Sequence, residues 1–160
     1  MDKEILEYIE RVYKLFKING LTLSVAESCT GGLISHYMTM LPGASTFFEA
    51  GVITYSAKAK QNILGISSET ILKFGIVSEE TAKEMSEKMR ALTKTNVSLS
   101  TTGNLGPEVL EGKEKGLIYI AVSKKEGIFS KQIRVTGTRG ENKERASLLA
   151  LKFLVEIMEI

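Results

Sequence analysis

The chain has 160 residues, 43% of them hydrophobic and 25% charged, a size and balance that suit one folded domain and exclude a disordered tail or a fibrous repeat. Its 21 Lys and Arg against 19 Asp and Glu leave a net charge of +2, too even for a general phosphate-binding surface, so no nucleic-acid partner is expected. The single cysteine, Cys29, excludes an intrachain disulfide and a zinc site built on paired cysteines, and points to a reducing compartment.

From Met1 to Leu21 charged residues interrupt the apolar ones, so no export signal is read there, and nowhere is there an apolar run of about 18 residues that would suggest a membrane span. A soluble, cytoplasmic protein without a membrane partner is the expectation. Ile5, Tyr8, Ile9, Val12, Tyr13 and Phe16 recur at helical spacing and predict an amphipathic helix that ends before Asn19-Gly20. Leu21 to Ala26 then reads as a strand, Glu27-Ser28-Cys29-Thr30-Gly31-Gly32 as a polar turn, and Leu33 to Leu41 as a helix broken by Pro42-Gly43. Phe47 to Tyr55 carries good strand formers. Short helices follow over Ala57 to Leu64 and from a capping Ser67 to Phe74, and Ser78 with Glu79 and Glu80 starts a longer one through Leu92. Asn96 to Thr101, Leu117 to Ser123 and Ile128 to Val135 read as strands, the last two joined by a hairpin turn at Lys124 to Gly127. Glu141 to Ile160 closes the chain as an amphipathic helix. Helices before, between and after strands predict one domain over residues 1–160, a three-layer α/β/α sandwich around a mixed sheet.

Three stretches could carry chemistry. The Glu27 to Gly32 turn enters a helix, where free backbone N–H groups attract anions, although spacing alone favours plain helix capping by Ser28 or Thr30. No nucleotide fingerprint with the required glycine spacing occurs. Thr101-Thr102-Gly103-Asn104-Leu105-Gly106-Pro107 follows a strand, where α/β folds place ligand loops, but a wide turn would look the same. Arg139, near the start of the last helix, could hold a phosphate or simply face solvent. The only histidine, His36, sits within a helix and reads as a surface or half-buried residue, and Cys29 lacks a visible base and reads as a packing residue. A serine with a lysine base remains: Ser45 in the turn after Pro42-Gly43, Tyr55 at a strand end and Lys60 on the next helix fit that idea loosely. A capping serine, a packing tyrosine and a solvated lysine would fit as well.

The segments AESCTGG at 26–32, LPGAS at 41–45, GVITYSAKAK at 51–60, FGIVSEE at 74–80 and TGNLGP at 102–107 resemble the C-terminal domain of the competence and damage inducible (CinA) proteins, whose active members are nicotinamide mononucleotide deamidases. The resemblance runs from about Leu21 through the last helix and implies a stand-alone amidase form, a homodimer, and an amidohydrolase that needs neither metal nor bound cofactor. It implies Ser45 as nucleophile, Lys60 as base and Tyr55 as an aid to proton transfer, with substrate held by Glu27, Ser28, Thr30, Gly31, Gly32, Thr102, Gly103, Asn104 and Arg139. One loop departs from the family: the usual paired glycines after the proline are replaced by Glu108-Val109-Leu110-Glu111. Bulk and charge therefore stand where the backbone normally approaches the substrate, which leaves a nucleotide-binding module without turnover as the alternative.

Overall fold

In the computed structural model, which describes residues 1–160, helix α1 (Lys3–Asn19) starts where the Asp2 carboxylate accepts from the Glu4 N–H at 2.9 Å and stops where Gly20 takes a φ of 63°. That left-handed turn is a low-cost exit for glycine. Five strands follow in the chain: β1 (Leu23–Glu27), β2 (Phe48–Ile53), β3 (Val97–Gly103), β4 (Leu117–Lys124) and β5 (Gly127–Arg134). They form one sheet in the order β2-β1-β3-β4-β5. β1 runs parallel to both neighbours, and the remaining pairs are antiparallel. The mixed sheet expected from the sequence is present.

The three central strands, β1, β3 and β4, are covered on both faces, and the alternation of residue size explains how. Leu23, Val25, Val97, Leu99, Ile118 and Ile120 face one way and pack with Ile9, Val12 and Phe16 of α1, with Ile34 of α2 (Leu33–Met38), and with Leu151 and Leu154 of α6 (Arg139–Met158). Side chains alternate across a strand, so Ser24, Ala26, Ser98 and Ser100 face the opposite layer. There the small residues let α5 (Glu79–Thr93) lie close, and Ser100 Oγ donates to Ala82 O at 2.6 Å. Met85 and Met89 of α5 join Ala26, Leu64 and Ile66 in a second, smaller core. Two helical layers around one sheet give the α/β/α sandwich.

Two elements differ from the sequence reading. Helix α2 ends at Met38 instead of Leu41, because residues 39–41 leave the helix to wrap the Tyr13 hydroxyl, which donates to Met38 O and Leu41 O and accepts from the Leu41 N–H. The expected helix over 57–64 divides into α3 (Ala57–Ala59) and a wider π turn, Lys60–Leu64, before α4 (Ser68–Phe74). Widened turns of this kind recur at functional sites. No helix is long and apolar enough to cross a membrane.

Candidate active site

The chain leaves β1 by way of β2 on one side and returns through α3, α4 and α5 to β3 on the other, so the carboxyl ends of β1 and β3 flank a switch in strand order. Ligands of open α/β sheets bind in such crevices. Ser28 follows β1 directly, and its N–H donates to Thr101 O of β3 at 3.1 Å. The 27–32 turn and the 101–107 loop, two of the stretches singled out in the sequence, are thereby brought together.

Glu27 fixes the turn. Its fully buried carboxylate accepts from Thr30 Oγ1 at 2.6 Å, the Ile34 N–H at 3.0 Å, the Ser35 N–H at 2.9 Å and Ser35 Oγ at 2.7 Å. Gly32, at the N-cap of α2, offers no side chain, so Glu27 satisfies the helix's first free donors instead. The expected role of Glu27 in holding substrate is therefore corrected: its oxygens are committed within the fold. Thr30 Oγ1 is likewise engaged, to Glu27 and to Thr101 Oγ1 at 2.9 Å. The backbone N–H groups of Cys29 and Thr30, by contrast, donate to no other group.

Lys60 is fully buried at this turn. Its Nζ donates to Ser28 Oγ at 2.8 Å, to Thr54 O at 2.8 Å and to Tyr55 O at 3.3 Å. Burial disfavours the ammonium and lowers its pKa from an ordinary 10.5 to about 8, against an opposing pull from the Glu111 carboxylate. Both carbonyl partners can only accept. When Lys60 loses a proton, its two remaining N–H bonds stay on Thr54 O and Tyr55 O, and the lone pair faces Ser28 Oγ. The geometry thus orients Lys60 as a base toward one hydroxyl.

Ser45 is not that hydroxyl. It lies exposed in a 3₁₀ turn, Ala44–Thr46, that leads into β2, whereas Tyr55 and Lys60 follow the far end of that strand. Six strand residues at roughly 3.3 Å each separate the two ends by about 20 Å, so Ser45 and Lys60 stand on opposite rims of the sheet. The structure thus does not bring Ser45 to Tyr55 and Lys60, and the serine it places beside them is Ser28. Cys29, next to Ser28, is buried, and burial pushes its thiol up to about 12. It is a neutral thiol at ordinary pH and a poor nucleophile. His36 faces solvent on α2.

A cavity of about 80 Å³ adjoins Ser28 and Cys29, lined also by Tyr55, Thr102, Leu110 and Arg139. A larger space of about 530 Å³ continues past Leu105 and Arg139 toward Gly106, Lys115 and Thr138. Arg139 stands between the two, donating to Gly106 O at 2.6 Å and to the Tyr55 hydroxyl. Thr102, Gly103 and Asn104, expected to hold substrate, line the smaller cavity. Thr102 Oγ1 donates to Ile76 O at 2.6 Å, and Asn104 Oδ1 accepts from the Gly106 N–H at 3.0 Å. A Cβ on Gly103 would come within 2.9 Å of Leu117 O, so that glycine serves the approach of β4. No set of three or more His, Cys, Asp or Glu side chains is placed to hold a metal ion.

Residues 6–158 match the family described as the CinA C-terminal domain. The chain belongs to that family. It is 44% identical over 155 residues to a protein of Caldicellulosiruptor saccharolyticus whose name is competence-damage inducible protein, covering 96% of this chain and 37% of that one. To a CinA-like protein of Fervidobacterium nodosum it is 42% identical over 154 residues, covering 96% and 37%. The chain spans little more than a third of the length of these curated relatives. Among solved structures, CihA of Agrobacterium tumefaciens superposes with a TM-score of 0.94 at 31% identity, covering 100% of this chain and 98% of that one. A CinA superfamily protein of Klebsiella pneumoniae superposes equally well, with a TM-score of 0.94 at 29% identity and coverage of 97% and 98%.

One cation of this CinA domain was not singled out in the sequence. Lys143 lies one helical turn beyond Arg139 on α6, and a Cβ built on Gly31 would sit 3.1 Å from its Nζ. Residues four apart share a helix face, so Arg139 borders Tyr55 while Lys143 borders the Glu27 to Gly32 turn. Lys143 forms no ion pair. The signal available in the sequence was the pair of cations one turn apart at a helix start.

Proposed function

We propose that this domain is a serine amidohydrolase in which Ser28 and Lys60 deamidate nicotinamide mononucleotide to nicotinate mononucleotide and ammonia. The contact of 2.8 Å between buried Lys60 Nζ and Ser28 Oγ carries the reading. Neutral Lys60 takes the Ser28 hydroxyl proton as Oγ attacks the carboxamide carbon. Charge then develops on the carboxamide oxygen, and the unengaged N–H groups of Cys29 and Thr30 are its donors. Collapse of the tetrahedral intermediate breaks the C–N bond, and Lys60 returns the proton to the departing nitrogen, which leaves as ammonia. Water attacks the acyl-serine after giving a proton to Lys60, the ester bond breaks, and Ser28 recovers its proton. Tyr55 and Arg139 line the mouth and position the substrate.

Ammonia release with nicotinamide mononucleotide, with nicotinate mononucleotide identified by mass spectrometry, tests the reaction. Tight calorimetric binding without ammonia would instead support the nucleotide-binding module. The phosphate has two unneutralised cations in reach, Arg139 and Lys143. Charge-assisted contacts are worth about 1.5–3 kcal/mol, so Lys143→Ala should raise KM for the nucleotide by roughly 10-fold or more with a much smaller change in kcat. A Lys143→Ala enzyme with unchanged KM would remove the phosphate from this face of α6. Nicotinamide riboside, which lacks the phosphate, should show no response to the substitution.

A further inference from the structure

The loop between β3 and β4 supplies one wall of the Ser28 cavity and is fastened across it. Leu110, Glu111, Gly112 and Lys113 form a tight turn, closed by a bond of 2.9 Å from the Lys113 N–H to Leu110 O, with φ of 57° at Glu111 and 68° at Gly112. Two successive positive φ values fit a type I′ turn. Glu111 is one of only two non-glycine residues in the chain with positive φ, a conformation that its surroundings must hold.

What holds it is a clip onto the segment ahead of α5. The Glu111 carboxylate accepts from the Ile76 and Val77 N–H groups, both at 2.9 Å. Lys113 Nζ donates to Phe74 O at 2.6 Å and also to Val77 O. Gly75 makes room, since a Cβ there would lie 2.7 Å from Glu111 Oε1. With Glu111 and Lys113 anchored, Leu110 forms a wall of the cavity that contains Ser28. At about 80 Å³ that cavity is well below the roughly 300–1,000 Å³ of small-molecule sites, whereas the space of about 530 Å³ beyond Arg139 falls within it.

We propose that Leu110, held by the Glu111–Lys113 clip, is a specificity-determining residue that limits the size of the group Ser28 can attack. With the clip closed, small electrophiles reach Oγ, and an aromatic carboxamide reaches it only when the strap shifts. The inference rests on Ser28 being the nucleophile, and its test therefore reads attack by Ser28 directly.

Sulfonyl fluorides of two sizes provide the probe. Ser28 Oγ attacks sulfur, the S–F bond breaks, fluoride leaves, and the hydroxyl proton passes to Lys60 and then to solvent. Labelling by methanesulfonyl fluoride and by phenylmethanesulfonyl fluoride is followed by intact mass, and each rate is divided by that reagent's own hydrolysis rate. Wild type should react at least about tenfold faster with the small reagent, and Leu110→Ala should bring the two rates within about threefold of each other, the size of discrimination expected from a few methylene groups. Glu111→Gly, which suits the positive φ and releases the clip, should narrow the ratio as well, since losing the carboxylate's pull on Lys60 acts on both reagents alike. Similar rates for both reagents on wild type, or a ratio unmoved by both substitutions, would overturn the role of the strap while leaving Ser28 in place. Absence of labelling at Ser28 in every variant would overturn the nucleophile assignment, and the strap's role with it.

Discussion

Ser28→Ala should lower kcat for amide hydrolysis by about 10³-fold or more, whereas Ser45→Ala should leave it within about twofold of wild type. The contrast is sharp because both serines lie in turn segments, yet only Ser28 shares a rim with Lys60. Ser28 Oγ receives a bond from Lys60 Nζ at 2.8 Å, while Ser45 lies exposed before β2. Removing the Ser28 hydroxyl leaves no atom to form the acyl-enzyme. Lys60 still keeps its two carbonyl acceptors, so the fold should survive, and circular dichroism together with thermal melting checks that. Ammonia release under saturating substrate gives the comparison directly. Loss of activity in Ser45→Ala with retention in Ser28→Ala would return the nucleophile to the far rim and leave Lys60 without a catalytic role.

The sequence made the fold legible because hydrophobic periodicity, caps and turn residues agree in it. Ser67 and Ser78 start helices where expected, accepting from the Glu69 and Thr81 N–H groups. Lys124 pairs with Gly127 across the expected hairpin. Strand order carried no comparable signal. Nothing local reveals that β3 lies beside β1 on the side opposite β2, yet that adjacency is what joins the 27–32 turn to the 101–107 loop. Tyr55 and Lys60 stand together as their spacing suggests, but direction along β2 keeps Ser45 away from them. A residue before a six-residue strand and one after it cannot meet while the strand is extended. The partners of the loop hydroxyls were illegible for a related reason. Thr30 and Thr102 sit in a ligand-type loop, but burial obliges their hydroxyls to find partners, and they find them in Glu27 and Ile76.

Activity should rise with pH up to about 8 and level off above it, because neutral Lys60 is the working form and burial holds its pKa near that value. Below that point the ammonium fills all three of its donor bonds and presents no lone pair to Ser28, so kcat/KM should fall by about tenfold per pH unit. Lys60→Arg cannot lose a proton in this range and should remain inactive at every pH. Lys60→Met should be equally inactive, and it isolates the stability side of the same shift. The folded pKa lies below the ordinary 10.5, so between about 8 and 10.5 the unfolded chain binds more protons than the folded one. Stability must then rise with pH across that window, and the penalty of burying an ammonium is present in full below it. The Tm of wild type should therefore gain on that of Lys60→Met as pH increases from about 8 to 10, an interval in which other groups titrate alike in both proteins. A flat activity profile from about pH 6.5 to 9, or a constant difference in Tm, would mean that Lys60 does not change charge there, and the base would have to be sought elsewhere.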